Sequence, residues 1–430
     1  MKKHKHNKSA QPEITLTEGQ QNAFDRFLEF LVNPNEPVFI LEGYAGTGKS
    51  TLVRELFNKL PDFLKSLDFL GGNAKKLGVY LTATTNKAAS ALSIITNQEV
   101  RTIHSFLNLR VKTQYTSGIE TYLVPTSTDV VKNSLVFIDE ASYIDNELLR
   151  LIFKYIDHNT SKIVFMGDPA QLTPVRSTKS PVFDLKAPRA SLTEVVRQSK
   201  DNPIIDLATR FRGVVNGEDW FSFTTDNIHI KHMDKEEFEK TIKEEFSRED
   251  WKYHDSKILA WTNKKVIEYN NLIKEIRTGD TVFTQGDIAL NNEFVKGKDR
   301  GYLSTDELVQ ILEVTPTQQL GVDGFMYTVL GVNGPVSLFG PKHLQDKKDL
   351  IKKLTQEGNI QDLAEVEGNW VDLRDVYACT INKSQGSTYD KVYIDLSDIA
   401  KCKQGNLMAR LLYVAVSRAK NEVILTGDLV

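Results

Sequence analysis

Short apolar runs alternate with amphipathic stretches along the chain, and the alternation predicts strands and helices in turn. Val38-Phe39-Ile40-Leu41 reads as a buried strand, and Gly78–Ala83, Leu135–Ile138, Lys162–Met166, Ile258–Thr262, Val376–Thr380 and Val392–Asp395 read the same way. Residues 13–32 have helical spacing, with Thr17 placed to cap and Ala23, Phe24, Phe27, Leu28 and Leu31 on one face. Thr51–Leu60 carries Leu52, Leu56 and Leu60 on one face, and Pro203–Phe211 and Lys342–Glu357 also read as helices. Two stretches break the rhythm. Residues 109–124 alternate around Ser117-Gly118, a hairpin signal. Residues 284–341 hold short β runs such as Leu308–Leu312 and Met326–Leu330, with turns expected at Gly321–Gly324 and Gly331–Pro335.

Between the first strand and its helix stands Gly43-Tyr44-Ala45-Gly46-Thr47-Gly48-Lys49-Ser50, a full phosphate-loop pattern. Its glycines let successive N–H groups curl around a phosphate, and the helix N-terminus of Ser50 and Thr51 adds positive charge. Lys49 suits the β and γ phosphates, and the Ser50 hydroxyl suits Mg²⁺. The strand Leu135–Ile138 ends in Asp139-Glu140. Asp139 is placed to hold Mg²⁺, and Glu140 to deprotonate an attacking water. Gln171 follows the strand Lys162–Met166 and is a candidate γ-phosphate sensor. Gln20, in the first turn of its helix, carries both a donor and an acceptor and so can read both sides of the adenine edge.

Composition narrows the class. The 430 residues allow two to four domains, and 40% hydrophobic with 26% charged content is ordinary for a globular protein. Net charge is −3, so a nucleic-acid site must be a local basic cleft. No apolar run reaches the roughly 18 residues of a membrane span. The basic stretch Met1–Lys8 has no apolar segment after it and reads as a tail, not a secretory signal. Cys379 and Cys402 alone predict reduced thiols, a cytoplasmic setting and no structural zinc. Thr84–Ala89 follows a strand end, and Thr102–Phe106 groups hydroxyls, an imidazole and a ring. The latter suits single-stranded nucleic acid, or equally a capped helix with Phe106 in the core.

In this order the blocks resemble the motifs of superfamily 1 helicases: Gln20, Gly43–Ser50, Thr84–Ala89, Thr102–Phe106, Asp139–Ser142 and Gly167–Val175. Leu192–Gln198, Leu259–Asn263 with Asn270, Thr380–Thr388 and Tyr413–Ala419 continue the series. The Leu16–Phe24 block, the His104 block and the short length are most similar to the 5′-to-3′, RecD/Dda-like branch. The resemblance implies an α/β fold of two RecA-like P-loop NTPase lobes. It implies a β-hairpin insertion in the first and a small SH3-like β-barrel in the second. Expected boundaries are a tail over 1–12, lobe 1A over 13–187 with hairpin 1B at about 107–130, lobe 2A over 188–283, insertion 2B over 284–370, and the rest of 2A over 371–430.

The resemblance further implies a DNA-stimulated ATPase with ATP and Mg²⁺ between the lobes. Catalytic roles fall on Lys49, Glu140, Gln171 and the arginines Arg197 and Arg418, and metal binding on Ser50 and Asp139. Nucleotide contacts fall on Gln20, Gly43, Ala45, Gly46, Thr47, Gly48, Lys49, Ser50, Thr51 and Gly386. Single-stranded DNA contacts fall on Thr85, Asn86, Thr102, His104, Phe106, Thr262, Asn263, Thr380, Asn382, Lys383 and Ser384. Tyr115 and Tyr122 mark the hairpin that splits duplex. Asn86 and Asn382 stand where the branch pattern has histidine, and asparagine can neither become cationic nor stack as well. Expected partners are single-stranded DNA, strand junctions, and replication or recombination proteins, acting on a monomer. The Dda likeness points to a phage or mobile-element origin and action in a bacterial host. A translocase that strips proteins without unwinding, or an RNA helicase of the same superfamily, fits the same motifs.

Overall fold

The computed structural model describes residues 15–69, 77–114, 120–174, 179–194, 202–279, 282–297 and 301–429. The 1–12 tail, Tyr115, Val175 and Arg197 lie outside them.

The first lobe comprises α1 (Glu18–Val32), β1 (Val38–Gly43), α2 (Lys49–Phe69), β2 (Gly78–Ala83), α3 (Asn86–Thr96), β3 (Val100–Thr102), α4 (Ile103–Phe106), β4 (Leu109–Gln114), β5 (Glu120–Pro125), β6 (Ser134–Asp139), α5 (Asn146–Tyr155), β7 (Lys162–Gly167) and β8 (Arg189–Leu192). Six strands form one parallel sheet in the order β3-β2-β6-β7-β1-β8. Its central strands are apolar without interruption because helices cover both faces. Phe39, Leu41, Phe137 and Val164 pack on the α1 and α2 side; Ile40, Val136, Ile138 and Phe165 pack on the α5 side. Thr17 and Gln20 close α1 with a capping box. The helix α2 runs on past Leu60 through Pro61, which is exposed.

β8 corrects the expected lobe boundary at 188. It pairs with β1, Leu41 opposite Ala190, and so completes the first sheet.

The second lobe begins with α6 (Pro203–Val215), β9 (Ile230–Met233), α7 (Lys235–Phe246), β10 (Ser256–Ala260) and α8 (Asn263–Thr278). It is interrupted by β11 (Ile288–Asn291), β12 (Val295–Lys296), β13 (Tyr302–Leu303), β14 (Glu307–Gln319), β15 (Val322–Gly331), β16 (Gly334–Pro341), α9 (Leu344–Glu357), α10 (Ile360–Asn369) and β17 (Leu373–Arg374). It resumes with β18 (Ala378–Thr380), α11 (Ile381–Ser384), β19 (Tyr389–Asp395), α12 (Leu396–Ile399), α13 (Gly405–Val416) and β20 (Ala419–Thr426). Its sheet is parallel in the order β18-β10-β19-β20-β9, which gives a two-lobe RecA-like α/β fold.

The interruption is an antiparallel sheet, β16-β15-β14-β11-β17, around Val309, Ile311, Val329 and Leu338. A bridge between Phe339 and Trp370, with Val371 N–H donating to the Phe339 carbonyl at 2.8 Å, brings its two edges together. The sheet runs to Arg374, beyond the expected boundary at 370, because β17 pairs with β11. The β14–β15 turn is Leu320-Gly321, both at positive φ, one step before the expected Gly321–Gly324. β4 and β5 form a separate hairpin, with Leu109 buried at its base and Tyr122 exposed. Among the described residues, no helix is long and apolar enough to cross a membrane.

Candidate active site and nucleic-acid interface

In the first sheet β6, β7 and β1 are neighbours, so the residues following their C-terminal ends meet. These are Asp139-Glu140, the loop 168–174 and the phosphate loop. Gly46 and Gly48 take φ of 81° and 75°, a region closed to most side chains, and this curls the loop toward the start of α2. The buried Thr47 donates to the Tyr44 carbonyl at 2.9 Å, and Lys49 Nζ donates to the Gly43 carbonyl at 3.1 Å. The result is a cradle of N–H groups, one ammonium and the Ser50 hydroxyl, which fits a polyphosphate.

β6 stops at Asp139 because Glu140 turns left-handed, φ 54°, with its carbonyl held by Thr84 Oγ1 at 3.0 Å. Asp139 Oδ1 and Glu140 Oε2 are each buried without a hydrogen-bond partner. Burial pushes the Asp139 carboxyl above its ordinary range, opposed by Lys49. Burial, and then the Asp139 charge, push Glu140 up to about 7. Two stranded carboxylate oxygens beside Lys49 and Ser50 could hold a divalent cation. Among the described residues no cluster of three or more His, Cys, Asp or Glu is assembled for a metal.

The second lobe closes this site into a cavity of about 870 Å³. Its walls include the phosphate loop, Asp139, Glu140, Gln171, Gly386 and Arg418. Arg418 is buried, donating to the Val414 and Ser387 carbonyls at 3.1 and 3.2 Å, and it faces Glu140. Burial lowers its affinity for its proton and the Glu140 charge restores part of it. Tyr413 of α13 donates to Asp168 Oδ2 at 2.6 Å and accepts from Ala45 N–H at 3.0 Å. Arg410 donates to the Pro169 and Gln171 carbonyls at 2.7 Å each. Arg212 of α6 lies over the Tyr44 ring, 3.8 Å from its centre. Pattern reading assigned no role to Arg410, Asp168, Tyr44 or Arg212 individually, because each acts through a partner from a distant element.

Gln20 is buried. Its Oε1 accepts from Thr17 N–H at 3.0 Å, and its Nε2 points to the Thr47 and Gly48 carbonyls at 3.4 Å. It thus holds the phosphate loop and lines a side cavity with Asn22, Leu192 and Glu194.

The expected DNA contacts gather at the strand ends of both lobes. Thr85, Thr102, Thr262 and Thr380 each cap a helix, α3, α4, α8 and α11, by accepting a backbone N–H. Asn86 and Asn263 open α3 and α8, and Asn382 lies in α11. Thr262 also donates to Asp398 Oδ1 at 2.9 Å. His104 is held below its ordinary pKa by burial. Phe106 is half-buried with its ring centre 5.0 Å from Tyr80, so the Thr102–Phe106 block is a capped helix whose aromatic partly joins the core. Lys383 Nζ bonds Asp306 Oδ1 at 2.8 Å and also Asn292. Ser384 corrects its expected place: it is fully buried and donates to the Ile381 carbonyl at 2.7 Å, so its hydroxyl serves its own turn. Tyr143, Gln385 and Lys87 join the two lobes and were not singled out by sequence.

Residues 15–234 match the AAA domain family. The chain belongs to that family. Residues 375–426 match the UvrD-like helicase C-terminal domain, and with the ordered motifs this makes the chain a superfamily 1 helicase of the RecD/Dda-like branch. It is 27% identical over 461 residues to the ATP-dependent DNA helicase dda of Enterobacteria phage T4, covering 95% of this chain and 98% of that protein. It is 26% identical over 438 residues to the ATP-dependent DNA helicase Pif1 of Bdellovibrio bacteriovorus, covering 95% and 87%.

Proposed function

We propose that this ATP-dependent DNA helicase moves 5′ to 3′ along single-stranded DNA and splits duplex with the β4–β5 hairpin. The observation that carries the reading is the facing pair across the cleft: two acids, each with one buried unpartnered oxygen, beside a phosphate loop in one lobe, and a buried arginine in the other. Lys49 and the loop N–H groups bind the phosphates. Ser50 and Asp139 hold Mg²⁺, which supplies charge neutralisation to the phosphates when bound. Glu140 takes the proton of the attacking water. Arg418, with Arg197 as the second expected finger, stabilises the transferring phosphoryl group when the lobes close. Gln171 reads the presence of the γ-phosphate.

The strand lies over the helix starts at Thr85, Thr102, Thr262 and Thr380, held through its backbone with little sequence information. Opening and closing of the lobes then advance it. Tyr122 on the exposed hairpin face meets the junction. Polarity is drawn from the resemblance and from the relatives' branch. The test of the motor itself is the ATPase rate with and without single-stranded DNA, with RNA of the same sequence beside it. Strong stimulation by DNA alone supports the reading, and stimulation by RNA alone overturns it.

A further inference from the structure

Tyr143 stands at the end of the 3₁₀ turn Ala141–Tyr143, directly after Glu140. Its hydroxyl proton is shared between the Asn382 carbonyl at 3.0 Å and Gln385 Oε1, both on the other lobe. The same Gln385 amide donates from Nε2 to Gln171 Oε1 at 2.9 Å. Gln385 therefore reaches between two side chains of the first lobe, and both glutamines are buried. An amide accepts at one end and donates at the other, which is what this slot requires.

A second contact lands on the same short helix. The last carbonyls of a helix have no partner within it. In α11 the Asn382 carbonyl accepts from Tyr143 as well as from the Gln385 N–H at 3.3 Å, and the Lys383 carbonyl accepts from Lys87 Nζ at 2.8 Å. The segment carrying Asn382 and Lys383 is thus completed by the opposite lobe. Lobe separation would break these bonds together and leave buried polar groups to find new partners. That gives one element with two arrangements, biased by Gln171 at one end and by α11 at the other, which is the physical requirement for coupling.

We propose that Tyr143 and Gln385 form a latch coupling nucleotide state at Gln171 to strand grip at Asn382–Lys383. Both are positioning residues: neither touches the reacting atoms. The proposal rests on the motor reading above.

The test uses the full chain and Tyr143→Phe, which keeps the ring and removes the hydroxyl. Basal ATPase should be unchanged. Stimulation by oligo-dT should fall about fivefold, the scale of one lost hydrogen bond. The ratio of oligo-dT Kd values with and without a non-hydrolysable ATP analogue should shrink by a similar factor. Gln385→Met should do the same, and the double variant should lose no more than either single, since one chain cannot be broken twice. A merely structural role would lower the melting temperature and all rates together without moving that ratio. An unchanged ratio in Tyr143→Phe, or additive losses in the double variant, overturns the latch and leaves the motor reading standing. Wild-type hydrolysis that ignores oligo-dT would overturn the motor reading and the latch with it.

Discussion

The Tyr413 hydroxyl of the second lobe donates to Asp168 Oδ2 of the first at 2.6 Å, and accepts from the Ala45 N–H of the phosphate loop at 3.0 Å. One phenol thereby ties α13, which leads into Arg418, to both the phosphate cradle and the Gln171 loop. Tyr413→Phe leaves a buried carboxylate and a backbone N–H short of a partner. Hydrogen bonds to charged groups are worth about 1.5–3 kcal/mol. ATPase kcat/KM should drop on the order of tenfold in steady-state assays, with the fold retained by circular dichroism.

The facing acids and arginine divide binding from chemistry. Glu140→Gln should reduce hydrolysis by about 10²–10⁴-fold, the range of a lost general base, while nucleotide titration by fluorescence stays near wild type. Arg418→Lys should cost about 10³-fold or more, because an ammonium cannot reproduce the fork that holds the Ser387 and Val414 carbonyls and that the proposed mechanism aims at the phosphoryl group. Retained turnover in either variant would remove that residue from the mechanism.

Lys383 is engaged by Asp306 of the inserted sheet at 2.8 Å, in a pair about one third exposed. Such pairs contribute at most about 1 kcal/mol to stability. Asp306→Asn should therefore leave the melting temperature nearly unchanged while freeing the Lys383 charge for phosphate. Single-stranded DNA should bind a few-fold tighter, with the log–log salt slope steeper by about 0.7. Equal slopes in the two proteins would show that Lys383 makes no phosphate contact.

Asp375 joins the inserted sheet to the second lobe beside the buried Lys274, 3.7 Å away. Burial raises its carboxyl to about 7, opposed by Lys274 and assisted by Asp287. The folded carboxyl holds its proton up to that pH, while the unfolded chain releases it near pH 4. Between those values the fold binds more protons than the unfolded chain, so stability falls as pH rises. Asp375→Asn should flatten this part of the pH profile. Melting temperatures from pH 5 to 8 check it, and parallel profiles for the two proteins would contradict it.

The phosphate loop, the Asp139-Glu140 pair and most parallel strands are legible in the sequence, because each is contiguous and its chemistry demands fixed spacing. The sheet order is not legible there: the Leu41–Met166 pairing sets the phosphate loop beside the Gln171 loop, and β7 in turn pairs with β6, whose end carries the acids. What spacing does not carry is contact between distant elements. Tyr143 with Gln385, Tyr413 with Asp168 and Arg212 with Tyr44 meet only once both lobes are built. β8 falls on the far side of the expected boundary at 188, because four residues give a weak pattern and its neighbour β1 lies far upstream. The motifs imply that the threonines contact DNA; what the structure shows is that each caps a helix.

The most direct test of the whole account is unwinding of two matched duplexes, one with a 5′ and one with a 3′ single-stranded overhang, in ATP and Mg²⁺. Wild type should unwind only the 5′-tailed duplex. Deleting Thr113–Tyr122 should impair that unwinding more than ATP-driven displacement of a protein from single-stranded DNA. Unwinding from the 3′ tail alone would contradict the assigned direction, and DNA-stimulated hydrolysis with neither duplex unwound would reduce the protein to a translocase.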